Sequence, residues 1–167
     1  EKKSEEEKEK VHQKTFSYLG NQNNPLDIII RNSDAFEIKK IENKGSAIAL
    51  NSSPPKNILY SDDNRITSFC RSCESKSWKE KDLFYVVGNV NKKIINYLFF
   101  VQGTCYCADR EIYNKIQNPL KEEINNLIKE RGLENSKTNE LGKIKKTDPL
   151  GITDLRIRGM WHIQNPI

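Results

Sequence analysis

Three residues in the first quarter of this 167-residue chain have the types and spacing to do chemistry together: Asp27, Glu37 and Lys39. One or two carboxylates are what a magnesium ion takes from a protein while keeping several of its waters. The backbone carbonyl of Ile38, between the second acid and the lysine, would add a third oxygen. Such a cation lowers the pKa of a bound water and stabilises charge on a phosphodiester. Lys39 can orient or deprotonate the attacking water, or stabilise the transition-state charge. As three letters at a spacing, though, the pattern is more often the solvated face of a hairpin in a Lys-rich protein. The surrounding elements must decide.

Ile28-Ile29-Ile30 is a β-branched run of the kind that favours a strand. Arg31-Asn32-Ser33-Asp34 supplies turn residues, and residues 35–41 form the return strand. Side chains alternate along a strand, so Glu37 and Lys39 share one face and Phe36 and Ile38 the other. Asp27, entered through a turn containing Pro25, then falls opposite residues 37–39. Opposed Cβ atoms lie about 5 Å apart, close enough for the three charges to converge.

Farther along, residues 82–90 and 94–102 read as two strands joined at Asn91-Lys92-Lys93. Both are apolar on both faces, as central strands are. Residues 109–117 are helical in pattern. Pro119 is expected to open a second helix over 120–131, with Leu120, Ile124, Leu127 and Ile128 on one face and Gly132 ending it. Residues 136–151 read as a loop, and 153–164 as a strand. The pattern is α/β: a charged helical or frayed segment over 1–15, then one domain over 16–167. The start at Glu1 rather than methionine, and the Asn165-Pro166-Ile167 end, suggest a fragment of a longer chain.

The net charge is +5. Residues 1–10 hold four Lys and five Glu of the chain's 28 basic and 23 acidic residues, so the remainder holds 24 against 18. That excess favours a polyanionic partner without proving one. Two segments suit nucleic acid. After the hairpin, Ser52, Ser53, Lys56, Asn57 and Arg65 surround a stiffening Pro-Pro pair and offer groups that bond phosphates and base edges. Near the end, Arg156 and Arg158 point the same way from one strand and can fork to guanine or clamp phosphate. Each segment is also an ordinary polar surface. The cysteines allow a tetrahedral zinc site from Cys70, Cys73, Cys105 and Cys107, against the plainer reading of free thiols in a reducing cytoplasm. No apolar run approaches a membrane span and no secretory signal is visible.

The run YLGNQNNPLDIIIRNSDAFEIKKIE, with SAIALNSSPPKNILYSDD, SFCRSCESKSWKEKDLFYVVG and TNELGKIKKTDPLGITDLRIRGMWHIQNP, resembles the type II restriction endonucleases of the NgoPII group. These belong to the PD-(D/E)XK nuclease superfamily and cleave DNA at GGCC. The resemblance covers most of the chain after about Phe16. It implies a restriction-endonuclease-like mixed β-sheet core flanked by helices, magnesium-dependent cleavage of double-stranded DNA, and Asp27, Glu37 and Lys39 as the catalytic trio. It also implies a homodimer on a symmetric site, a cognate DNA methyltransferase, and the cytoplasm of a bacterium or archaeon. One departure is visible: Leu26 separates the proline from the acid. Two other readings are a structure-specific repair or junction nuclease of the same superfamily, and a non-catalytic, zinc-stapled DNA-binding module.

Overall fold

A computed structural model describes residues 4–20, 26–43, 45–51 and 53–165. The elements in chain order are α1 (Glu5–Thr15), β1 (Phe16–Leu19), β2 (Ile28–Ile30), β3 (Ala35–Ile41), β4 (Ile48–Asn51), β5 (Ile58–Tyr60), α2 (Ser68–Arg71), β6 (Glu80–Asn91), β7 (Ile94–Gln102), α3 (Gly103–Tyr106), α4 (Arg110–Glu130), β8 (Gly142–Ile144), β9 (Leu155–Ile157) and β10 (Met160–Ile163). The architecture is mixed α/β, and the chain divides into two compact units. The first holds residues 1–46, 56–107 and 165–167; the second holds 47–55 and 108–164. No helix among the described residues is long and apolar enough to cross a membrane.

The first unit is built on a mixed sheet in the order β1-β2-β3-β6, with β5 and β7 both pairing β6. Only β3 and β6 run parallel among these pairs. The β2–β3 hairpin turns through Asn32 at φ 56°, a left-handed backbone that asparagine tolerates. Its register, Ile28 opposite Phe36 and Ile29 opposite Ala35, places Asp27 next to Glu37. Along the parallel pair, Ala35, Glu37, Lys39 and Ile41 face the same way as Leu83, Tyr85, Val87 and Asn89. Apart from Glu37 and Lys39, every member of that set is buried. On the opposite face Phe36 stacks on Phe84 at 5.6 Å, and Ile38, Leu98 and Phe100 are exposed. The two charges therefore lie on the covered face of the sheet, not the solvated one.

A buried ion pair ties this unit together. Lys81 Nζ, at the start of β6, lies 3.1 Å from Glu74 and donates to the Ser33 carbonyl at 2.7 Å. Glu74 also accepts from Ser17 Oγ and the Asn32 N–H, each at 2.9 Å. Burial pushes the Glu74 carboxyl up, but these donors outweigh it and hold it below its usual range. α1 opens on a Ser4–Glu7 capping box and buries no residue, as a charged, solvated helix should.

In the second unit, β10 pairs β4 and β8 pairs β9, both antiparallel. A Cβ on Gly142 would meet the Ile124 side chain at 2.7 Å, so glycine lets β8 approach α4. Five expectations are corrected here. Pro119 lies inside one continuous α4 rather than opening a second helix. A proline inside a helix costs about 3 kcal/mol or more, yet α4 runs on to Glu130 and buries Ile128 beyond it. The packed side of α4 holds Ile124 and Ile128, whereas Leu120 and Leu127 are exposed. Gly132, at φ 65°, ends the helix with its N–H on Lys129 and that of Leu133 on Ile128. The stretch expected as a loop contains β8. The stretch expected as one strand is β9 and β10, which pair different partners and break at Arg158-Gly159. In the first unit, β7 pairs β6 alone and exposes Ile94, Ile95, Leu98 and Phe100, so of the two apolar strands only β6 is central.

Candidate active site

The first unit brings Asp27, Glu37 and Lys39 into one hydrogen-bonded group. Asp27 continues the hairpin ladder, its N–H donating to the Phe36 carbonyl at 3.2 Å. Its Oδ2 accepts the Ile38 N–H at 2.6 Å, which caps β3 where β2 has ended. Glu37 Oε1 accepts from Lys39 Nζ at 2.6 Å, and Oε2 accepts from the Leu26 N–H at 2.8 Å. The Glu37 and Lys39 side chains are only 15% and 23% exposed. Burial pushes the Asp27 carboxyl above its ordinary range, opposed by the Ile38 N–H; the Glu37 charge adds to the rise and Lys39 counters it. A like-charged carboxylate pair, partly removed from water, is an arrangement that a cation relieves.

Leu26, the residue that interrupts the Pro-Asp pair, has a structural role of its own. It is buried and adopts φ 81°, a conformation unfavourable for a side chain with a Cβ. That backbone aims its N–H at Glu37. Gly20 stands against the same segment: its N–H donates to the Asp27 carbonyl at 2.7 Å, and a Cβ there would come 2.1 Å from the Leu26 carbonyl oxygen. The position of Asp27 thus depends on a glycine that the sequence alone did not single out. Pro25 lies outside the described residues.

Two further residues border the group. Tyr85 faces the covered side at the register position of Glu37. Its hydroxyl accepts the Lys56 N–H at 2.9 Å and donates to the Lys56 carbonyl at 3.2 Å. Burial pushes the Tyr85 phenol far up and the Lys56 ammonium down, the latter opposed by Asp63 and by the Glu37 charge.

The candidate DNA contacts take settings other than those expected. Ser52 lies outside the described residues. Lys56 is not a projecting loop cation: its ammonium is enclosed and pairs with Asp63 at 3.3 Å. Asn57 is buried, its Oδ1 accepting the Ile58 N–H at 2.8 Å. Arg65 is half-buried beside Asp63, whose Oδ1 accepts its N–H at 2.9 Å. Pro54 and Pro55 are buried and Ser53 is half-buried, so the segment packs instead of standing out. In the second unit, Arg156 and Arg158 are about half exposed, and both engage Glu140.

The four cysteines are not gathered into a ligand set. Among the described residues no three of His, Cys, Asp and Glu are grouped to hold a metal. Cys70 is buried, and burial, reinforced by Cys73, pushes its thiol up to about 12. Cys105 is exposed, and Cys107 Sγ lies 3.7 Å from the Tyr85 hydroxyl. The zinc staple expected as one possibility has no quartet to form it: Cys70 belongs to the short helix α2, whereas Cys105 and Cys107 lie in and after α3.

The chain is also similar to known proteins along its length. The family described as NgoPII restriction endonuclease matches residues 1–167. The type II restriction enzyme NgoPII of Neisseria gonorrhoeae is 52% identical over 156 residues, which cover 93% of this chain and 54% of that protein. The chain therefore spans about half the length of the curated relative it matches. No solved structure is significantly similar. With the family matched from the first residue to the last, the chain belongs to the NgoPII restriction endonuclease family.

Proposed function

We propose that this chain carries the nuclease centre of a type II restriction endonuclease that cuts double-stranded DNA at GGCC, with Asp27, Glu37 and Lys39 as its catalytic residues. The observation that carries this reading is that Glu37 and Lys39 sit on the covered face of the sheet beside Asp27, half out of water. Solvated surface charges would sit on the other face. Family membership and the name of the Neisseria relative supply the reaction class. The fold is then the PD-(D/E)XK core, placed within residues 16–167.

The donor set suits magnesium: two carboxylates, one of them raised in pKa by burial and by the other's charge, beside a strand edge that offers the Ile38 carbonyl. When bound, the cation supplies charge stabilisation at the phosphate and an acidified water. The residues do the rest. Asp27 is fixed by the Ile38 N–H and Glu37 by the Leu26 N–H, so neither carboxylate has to reorganise. Lys39, held against Glu37, orients the attacking water and stabilises negative charge on the phosphodiester. Hydrolysis leaves a 5′-phosphate and a 3′-hydroxyl. A symmetric site is matched by a homodimer, each subunit cutting one strand. A cognate methyltransferase would protect the host DNA, and the enzyme would act in the cytoplasm of a bacterium or archaeon.

The test is cleavage of duplexes with and without GGCC by the wild type, Asp27→Asn and Lys39→Ala. Magnesium-dependent cutting confined to the GGCC duplex and lost in both variants is the expected result. Equal cutting of both duplexes would favour a structure-specific nuclease, and cutting that survives in the variants would remove the trio.

A further inference from the structure

The two arginines of the second unit are not equivalent, and the residue that separates their roles is Glu140. This carboxylate is buried, with its side chain 9% exposed. Its N–H donates to Thr138 Oγ1 at 3.1 Å. It takes Arg156 by two bonds, from Nε at 3.0 Å to Oε2 and from Nη2 at 2.7 Å to Oε1. That is the bidentate fork in which a guanidinium is most rigidly held. The same Oε1 lies 2.7 Å from Nε of Arg158, which follows β9 at the break before β10. Arg156 has thus committed one full edge, including the Nε side, to the protein. The Nη1 and Nη2 groups of Arg158 make no hydrogen bond among the described residues.

The charges are unequal as well. One buried carboxylate faces two guanidiniums, each about half exposed, so the cluster keeps a net positive charge at the surface. A surplus charge with an uncommitted planar edge suits a ligand with two acceptor atoms side by side. On duplex DNA these are two phosphate oxygens, or O6 and N7 of a guanine.

We propose that Glu140 is a positioning residue that locks Arg156 as a bracket and presents the Nη1/Nη2 edge of Arg158 to a paired acceptor on duplex DNA. The inference rests on the nuclease reading for its ligand and on the ion-pair geometry for its division of roles. Loss of Arg158 removes the contact itself. Loss of Glu140 or Arg156 acts only through the placement of Arg158.

The experiment is a binding titration in the uncleaving Asp27→Asn background, using a GGCC duplex and a scrambled duplex over a range of salt. Arg158→Ala is expected to weaken GGCC binding by about tenfold or more. A loss confined to the GGCC duplex identifies guanine. An equal loss on both, with a salt slope shallower by about one, identifies phosphate. Arg158→Lys, which keeps the charge without the planar fork, should recover phosphate binding and not guanine binding. Glu140→Gln should weaken the same duplexes as Arg158→Ala but less, and Glu140→Asp should restore part of the loss. Arg158→Ala with unchanged affinity and salt slope, or Arg156→Ala costing more than Arg158→Ala, would overturn the proposal. A protein that cuts DNA normally while Arg158→Ala changes nothing overturns this inference alone. A protein that neither binds nor cuts either duplex overturns the nuclease reading with it.

Discussion

Three charges on the covered face of a sheet are unfavourable unless their groups hold one another in place or take up a ligand. At the residue scale the group around Asp27 does the first and is prepared for the second. Each side-chain hydrogen bond within it fixes a carboxylate oxygen or the Lys39 ammonium. Asp27→Asn and Lys39→Ala should each lower the cleavage rate by roughly 10²–10⁴-fold while leaving circular dichroism unchanged. Asp27 also makes a prediction free of catalysis. Its carboxyl is raised in the folded state, by burial first and then by Glu37, against the Ile38 N–H and Lys39. Above that raised pKa the folded protein carries a charge it disfavours; below it the native state binds the proton more readily than the unfolded chain, and the penalty disappears. Without metal, Asp27→Asn should therefore melt at a higher temperature than the wild type at pH 7–8, where the penalty is full. The gap should close as pH falls towards about 4, where an unperturbed aspartate titrates. Magnesium should raise the melting temperature of the wild type more than that of the variant. A variant that melts lower at neutral pH would remove the argument for a strained carboxylate pair.

At the scale of elements, the hairpin is a local device and its surroundings are not. The Ile28–Ile30 run, the Asn-containing turn and the alternation along residues 35–41 were all legible, because each depends on neighbours in sequence. Which face of β3 is covered was not, because β6 supplies the answer from more than forty residues away. Glu74 and Glu140 were illegible because neither has a motif around it; Glu74 draws on Ser17 and Asn32 from more than forty residues away, and Glu140 meets Arg156 16 residues on. The continuity of α4 through Pro119 was not legible, because a proline favours the first turn of a helix. The segment with the two prolines was expected to offer its polar groups to nucleic acid, and instead Pro54, Pro55 and Asn57 are buried.

Two element-scale predictions follow from contacts that hold the hairpin. Gly20→Ala would push a methyl group into the Leu26 carbonyl and shift Asp27. A displacement of about 1 Å can cost on the order of 10²-fold in rate, so activity should fall far more than melting temperature. Equal activity in this variant would show that the Gly20 contact does not set the site. Glu74→Ala leaves Lys81 as a buried, unpaired charge and should cost about 3–5 kcal/mol. Calorimetry should find the melting temperature lower by roughly 10 °C. A change of a degree or less would mean that the pair contributes little to the first unit.

At the scale of the whole molecule, family membership extends over residues 1–167, and the matched segment is about half of the Neisseria relative. The proposed centre needs only the first unit, whereas the arginine cluster belongs to the second. Separate loss of chemistry and of binding is thus expected: Asp27→Asn stops cutting with DNA still bound, and Arg158→Ala weakens binding with the metal group intact. The excess of basic over acidic residues outside the first ten is consistent with a polyanionic substrate, though it does not locate one.

The most direct test is digestion of a plasmid of known sequence, with the cut ends mapped, by the wild type and by Asp27→Asn, in magnesium and in chelator. The predicted result is cutting of both strands at GGCC by the wild type in magnesium, and none in chelator or with the variant. Cutting by Asp27→Asn at the wild-type rate, or wild-type cuts that ignore GGCC, would contradict the account.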